Sequence, residues 1–234
     1  MTTTPAVLLI GAGRLARHLR HWNSLIEKPL ALTSWDRSQS ITQLHTALKT
    51  STHVWLAISD SALIPFYEEH LAVTHSKSTL HFSGALNDSR LSCAHPLMSF
   101  PQELLSDDVY ARIHFVVSPE LQLPDVMPGF KNNFSRLSAE NKSFYHALCV
   151  LAGNFPQLLW QQAAHEMKDL ALPGEALDLY IQQITENYLQ QKDQALTGPL
   201  VRKDFKTIEK NIESLTRNKK LQHIYKTFSE EFSK

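Results

Sequence analysis

Two hydrophobic rhythms divide this chain. Up to about residue 117, short apolar runs alternate with stretches whose apolar positions recur every three or four residues. The runs Ala6–Ile10, Leu30–Trp35, His53–Ile58 and Thr79–Phe82 read as buried strands, and shorter ones at Ala94–Met98 and Ile113–Val117 extend the series. Between them, Leu15, Ala16, Leu19 and Trp22, then Ile41, Leu44 and Leu48, then Leu63, Ile64, Tyr67 and Leu71 hold helical spacing. Strand and helix in alternation predict an α/β fold, a doubly wound and mostly parallel sheet.

Near residue 118 the texture changes. Ser118 to Gly129 contains Pro119, Pro124 and Pro128 and no helical period, and a short strand candidate follows at Asn133–Leu137. From Ser138 onward the pattern is helical, broken at Pro173-Gly174 and again at Thr197-Gly198-Pro199. The expected organisation is therefore a nucleotide-binding domain over 1–137 and an all-α domain over 138–234. In the first long helix, Phe144, Leu148, Leu151 and Phe155 form the expected core stripe. Its other side carries Lys142, His146, Cys149 and Gly153 where a surface helix would be charged, so both sides are expected to be covered. Gly153 in mid-helix suggests close approach by another backbone or a ligand.

The first strand runs into Gly11-Ala12-Gly13-Arg14-Leu15-Ala16, and two of only seven glycines stand here, one residue apart. A strand, a Gly-x-Gly-x-x-Ala turn and a helix form the opening of a mononucleotide-binding βαβ unit. Gly11 permits the turn, Gly13 leaves room for a pyrophosphate, and the free N–H groups of the helix start favour an anion. The second strand ends in Asp36-Arg37-Ser38, the position that selects the cofactor. Asp36 suits the ribose hydroxyls of NAD, whereas Arg37 and Ser38 suit the 2′-phosphate of NADP; NADP is favoured and NAD stays open. The plainer alternative is that Asp36 caps the next helix and Arg37 is solvated. Ile58, Ser59 and Asp60, after the third strand, and Ser83 and Gly84, after the fourth, are expected at the same sheet edge. His95, near the end of a later strand, is a candidate for the substrate side.

Charge and cysteines narrow the class. Lys+Arg and Asp+Glu are both 23, so the formal charge is zero, which argues against a general nucleic-acid or acidic-membrane binder. Cys93 and Cys149 have no metal or redox spacing and read as reduced residues of a cytoplasmic protein. No apolar stretch is long enough to span a membrane and no leader pattern is present, so no membrane partner is expected. Twelve histidines include no His-Glu-x-x-His or Cys/His cluster, so no metal site is expected. His146, one turn after Lys142, is a candidate acid/base group, with a packed histidine in a dimer interface as the alternative.

With those residues placed, the chain resembles a family of two-domain candidate oxidoreductases. They join a Rossmann-like NADP-binding domain to a C-terminal helical domain of unknown function, and are distant relatives of pyrroline-5-carboxylate reductase and 6-phosphogluconate dehydrogenase. The matching pieces are Gly11–Arg14, Leu80–Leu86, His95-Pro96-Leu97 with Phe100, Tyr145-His146-Ala147 through Asn154, and Ala195–Arg202 with Asp204. The resemblance implies a dinucleotide facing an interdomain cleft lined by His146, Asn154, Thr197, Arg202 and Asp204. Three departures stand out. Ala16 replaces the third glycine, and Lys203 stands in a frequent Arg-Gly-Asp. Lys142 lacks the Asn that follows the catalytic lysine of better-characterised relatives.

The resulting expectation is an NAD(P)-dependent oxidoreductase acting on a small polar carbonyl or imine substrate, and working as a homodimer. His146 or Lys142 would manage the proton, and Arg202 would bind a substrate anion. The alternative is a non-catalytic dinucleotide sensor, separated from an enzyme by whether a proton-transfer group faces the nicotinamide.

Overall fold

The structure, a computed structural model, describes residues 5–72 and 78–232. Seven strands form one sheet in the order β2-β1-β3-β4-β5-β6-β7. They are β1 (Ala6–Ile10), β2 (Ala31–Trp35), β3 (His53–Leu56), β4 (Ser78–His81), β5 (Ser92–Pro96), β6 (Phe115–Val117) and β7 (Phe134–Arg136). Every pairing is parallel except β5 with β6. The expected Rossmann-like, doubly wound, mostly parallel sheet is thus the observed one, followed by helices to the C-terminus.

Period-two alternation explains the two cores. Val7 and Leu9 of β1 point to one face and meet Leu19 and Trp22 of α1 (Arg14–Leu25), with Trp55 and Tyr110. Leu8 and Ile10 point to the other and meet Leu44 and Leu48 of α2 (Ile41–Thr50), with Leu63 of α3 (Asp60–Phe66). Each of these buried aliphatic side chains contributes about 1.5–3 kcal/mol. α2 starts where Ser40 and Gln43 form a reciprocal capping box, so Asp36 is not its cap. α4 (Asp107–Arg112) brings Tyr110 beneath α1, where its hydroxyl shares a 2.7 Å hydrogen bond with Nδ1 of the buried His18. Nε2 of His18 donates to the Pro101 carbonyl and ties down the loop after β5.

By contacts the chain forms two compact units, Met1–Pro156 and Gln157–Lys234. Residue 137, where the sequence texture turns helical, coincides with the end of the sheet at Arg136. The short α5 (Leu123–Val126) and the helical stretch α6 (Lys142–Cys149) group with the first unit; a π turn, Val150–Asn154, joins α6 to α7 (Phe155–Asp169). Pro156 supplies the cause. It has no N–H for the Ala152 carbonyl and its ring crowds that carbonyl, so the preceding turn widens. The same pairing of a proline with a π turn recurs at Pro65 and Tyr67–Leu71. Gly153 lies in the widened turn, and among the described residues a methyl group added there would meet nothing within 4 Å, so its position does not depend on the missing side chain.

The second unit holds α8 (Ala176–Gln191), α9 (Phe205–Ser214) and α10 (Lys219–Phe232). Leu177 and Ile208 are its only buried apolar side chains among the described residues. The expected core stripe of the long helix is exposed: Phe144, Leu148, Leu151 and Phe155 all face solvent. It is the other side, with Lys142, Tyr145, His146 and Cys149, that is half-buried.

The turn after β1 gives a direct test of the fold. Gly11 has φ +126°, and a methyl group there would lie 2.3 Å from the Ala57 carbonyl oxygen. Gly11→Ala is expected to cost about 3 kcal/mol or more in denaturant unfolding. Gly13→Ala, at φ −72° with open space around its Cα, should cost under about 1 kcal/mol. Equal stabilities for the two variants would contradict the close approach.

Candidate functional site

The strand order reverses between β1 and β3: the chain leaves β1 for β2 on one side and returns to β3 on the other. Ligands of such folds settle at the carboxyl ends of the strands beside this switch. A cavity of about 1040 Å³ opens there. Its wall contains Gly11, Ala12, Gly13, Arg14 and Leu15 from the turn, Asp36, Arg37 and Ser38 after β2, and Ile58 and Ser59 after β3. α1 begins at Gly13 with no side-chain cap and no acidic residue in its first turn, so its N–H groups are open to an anion. The chemistry of this wall fits a dinucleotide: room at Gly13, N–H donors for a pyrophosphate, and polar groups at β2 for an adenosine ribose.

The wall also contains residues that were not among the expected cofactor contacts. Ala62, Phe66 and His70 stand one turn apart along α3 and its π turn, and Phe100 comes from the loop after β5. The four-residue spacing of 62, 66 and 70 was visible, but Leu63, Ile64, Tyr67 and Leu71 formed the more apolar stripe. Ser38 differs in detail from its expected use. Its N–H and its hydroxyl both donate to one Asp36 carboxylate oxygen, at 2.9 and 2.6 Å. These bonds hold the Asp36 carboxyl below the usual range. Arg37, beside them, is exposed.

Asp60, Ser83 and Gly84 are not in this wall. Asp60 opens α3, and the Ser83 hydroxyl accepts from the Ala85 and Leu86 N–H groups, closing the turn after β4. Gly84 sits between two imidazoles: an added methyl would lie 3.0 Å from His95 Nε2 and 3.0 Å from His146 Cδ2. Three candidates predicted separately, Gly84, His95 and His146, are therefore one group at the ends of β4 and β5. His95 Nδ1 shares a 2.7 Å hydrogen bond with the Tyr145 hydroxyl. Burial, then the nearby His146 and Lys142, push His95 down to about 4. Burial pushes the Tyr145 phenol up, and the neighbouring Cys149 adds to this. Both partners are neutral at pH 7.

Beside this group lies a smaller cavity of about 40 Å³, lined by His81, Asp88, Cys93, His95, Lys142 and Tyr145 among others. The Cys93 thiol donates to the Ser83 carbonyl at 3.3 Å, and burial pushes its pKa up. Among the described residues no three His, Cys, Asp or Glu gather as a metal site, and both cysteines are free.

Four candidates remain, Asn154, Thr197, Arg202 and Asp204. Asn154 is exposed in the π turn. Thr197, Arg202 and Asp204 belong to the second unit, with Thr197 and Arg202 exposed. The Asp204 carboxylate caps α9, accepting from the Thr207 N–H at 3.1 Å and its hydroxyl at 2.7 Å. Lys203, which replaces the family's glycine, adopts φ +54°. That left-handed conformation costs a lysine about 1 kcal/mol, and it explains why glycine suits the position.

Comparison with known proteins agrees with this architecture. Residues 122–232 match the family model of a domain of unknown function, DUF2520. A candidate NADP oxidoreductase from Bacteroides fragilis, BF3122, superposes over 98% of both chains with 16% identity and a TM-score of 0.74. Protein TM1727 from Thermotoga maritima is 19% identical over 96% of both chains, with a TM-score of 0.68. Pyrroline carboxylate reductase from Plasmodium falciparum, solved with NADP bound, is 12% identical over 98% of both chains, with a TM-score of 0.60. No curated protein matches the chain. The resemblance drawn from the motifs therefore holds: the fold is that of NADP oxidoreductases, a Rossmann-like domain followed by a helical part. Among the described residues, no helix is long and apolar enough to cross a membrane.

The buried histidines make stability depend on pH. His81 is lowered to about 3 and His95 to about 4, in both cases chiefly by burial, whereas an unfolded histidine titrates near 6.5. Depressed pKa values contribute stability that is complete above about pH 6.5 and is lost as pH falls toward 4 and then 3. Each histidine is expected to remove up to about 1.4 kcal/mol per pH unit in that window. Denaturant unfolding at pH 7, 6 and 5 measures it. His95→Gln should lessen the decline, and an unchanged slope would contradict burial of a neutral His95.

Proposed function

We propose that the protein is an NAD(P)-dependent oxidoreductase that reduces or oxidises a small polar carbonyl or imine compound. The observation that carries this reading is the cavity at the β1/β3 switch. One wall brings together an uncapped helix start, open space at Gly13 and the Asp36-Arg37-Ser38 turn. The fold shared with BF3122 and with the NADP-bound reductase supports it. A bound nicotinamide supplies or accepts the hydride.

The chain's own residues position the reactants and handle the proton. His95 and His146 flank Gly84 at the same sheet edge, so a carbonyl or imine held there has two imidazoles beside it. His146, on α6 one turn after Lys142, is the proton-transfer group, and Lys142 is the second candidate. His95, neutral and bonded to Tyr145, orients the substrate. The presence of these ionisable groups beside the cofactor edge favours an enzyme over a non-catalytic sensor.

NADP is the preferred cofactor in this reading, because Arg37 is an exposed cation in the cavity wall just past β2. A guanidinium–phosphate contact is worth about 1.5–3 kcal/mol, or roughly 10- to 150-fold in affinity. Nicotinamide fluorescence titrations should show NADPH binding tighter than NADH, with Arg37→Ala erasing most of the difference. Equal affinities in the unsubstituted protein would reverse the assignment to NAD, with Asp36 on the ribose.

We further propose a cytoplasmic homodimer. A second unit with two buried apolar side chains cannot hold itself together in isolation, and Phe144, Leu148, Leu151, Tyr180, Ile184 and Tyr188 offer exposed apolar stripes. Sedimentation should report about twice the chain mass of 26.6 kDa. Leu151→Glu should shift the protein toward monomer, and a monomer at micromolar concentration without that change would contradict the proposal.

A further inference from the structure

The 40 Å³ cavity beside His95 is lined by the donors His81 and Lys142, by one carboxylate, Asp88, and by Asn87, Cys93, Ser118 and Tyr145 among others. His81 is almost wholly buried, and its Nδ1 accepts from the Ser83 N–H at 3.2 Å. A backbone N–H can only donate, so in the neutral ring the proton is on Nε2. Nε2 has no partner among the described residues, and no fully closed-off side-chain nitrogen or oxygen among them lacks one, so Nε2 reaches the open space of the cavity. Lys142 enters from α6 and reaches the Cys93 thiol.

Charge on the lining is unbalanced. Cys93 stays a thiol, and His81 and His95 stay neutral, all three chiefly because they are buried. The one carboxylate in the wall, Asp88, is already bound by Arg90, whose Nε and second terminal nitrogen donate to its two oxygens at 2.8 and 2.7 Å. Arg90 is bonded in turn to Glu68. Asp60 acts on Cys93 and His95 only as a minor influence from the start of α3. Among the described residues the Lys142 amine, in the wall of the same cavity, forms no ion pair, and Asp88, the carboxylate it shares that wall with, is held by Arg90. The volume suits about three waters at 10–15 Å³ each, or one small planar anionic group.

We propose that this cavity is a carboxylate subsite, in which His81 Nε2–H and the Lys142 ammonium hold the acid group of the substrate. The assignment rests on the oxidoreductase reading and narrows its substrate class to small keto, imino, hydroxy or amino acids. It gives Lys142 a binding role and leaves proton transfer to His146. A substrate anchored at His81 by its carboxylate brings its neighbouring carbon toward Gly84, where His95 and His146 stand.

Acetate is the probe, with chloride at equal ionic strength as control. In ¹⁵N-histidine-labelled full-length protein, the His81 ring should show the Nε2–H tautomer at pH 7, and acetate should shift its signal saturably while chloride does not. Lys142→Met should weaken the acetate response about tenfold or more, and Arg202→Ala should leave it unchanged. His81→Gln, which keeps one donor, guards against loss of fold in a larger replacement and should also weaken the response. NADPH fluorescence on the same samples separates the two readings: cofactor binding without an acetate response overturns the subsite alone. An acetate response that survives Lys142→Met and vanishes in Arg202→Ala overturns it as well. Failure to bind NADPH would instead remove the oxidoreductase reading, whatever acetate does.

Discussion

Gly11 passes the Ala57 carbonyl so closely that no side chain fits between them, and its N–H donates to the Trp35 carbonyl at 2.8 Å. The same crossing brings the Ala57 N–H to the Ile10 carbonyl at 2.9 Å. Three strand ends are thereby stitched together at one point. The stitch aims α1 so that its first-turn N–H groups look across the sheet edge, and it opens the large cavity beside Asp36, Arg37 and Ile58. Displacing it would move the helix start and the β2 turn together. The anion-binding geometry is a consequence of backbone packing first and of side-chain chemistry second.

A second constraint operates two strands away. β4 ends in His81, which pairs with Cys93 near the start of β5, and burial keeps both uncharged. The half-buried His95, two residues after Cys93, is held neutral in the same way. Burial of such groups is tolerated because each has a specific partner: Ser83 N–H for His81, the Ser83 carbonyl for Cys93, and Tyr145 for His95. Lys142, half-buried from α6, acts on all three, and it forms no ion pair among the described residues. Polarity at this end of the sheet is therefore concentrated on one ammonium and a few fixed N–H donors, an arrangement suited to orienting an acidic substrate.

Much of the fold was readable because strands and helices bury different spacings. Val7 through Ile10 announce a strand covered on both faces, and Gly11-Ala12-Gly13 announces the turn after it. Asp36-Arg37-Ser38 was legible for the same reason, since its place follows from the strand before it. What was not legible depends on long-range packing. Nothing local says that Ser38 gives its hydroxyl to Asp36, or that His95 and His146 meet across Gly84. The π turn before Pro156 had a local signal in the proline, but the expected core stripe of Phe144, Leu148, Leu151 and Phe155 misled, because hydrophobic periodicity marks a face that wants covering without saying by what. In this chain that face is open, and the polar side of the helix packs on the sheet unit.

The central claim is that one sheet edge holds a dinucleotide across β1 and β2 and delivers its nicotinamide to the histidine group at β4 and β5. A crystal structure of the protein with NADP⁺ tests it most directly. The account predicts the pyrophosphate against the N–H groups that open α1, the adenosine ribose at Asp36 and Arg37, and the nicotinamide ring within van der Waals reach of Gly84, about 4 Å. A nicotinamide turned away from Gly84 and His95, or a cofactor seated outside the Gly11–Gly13 turn, would contradict it.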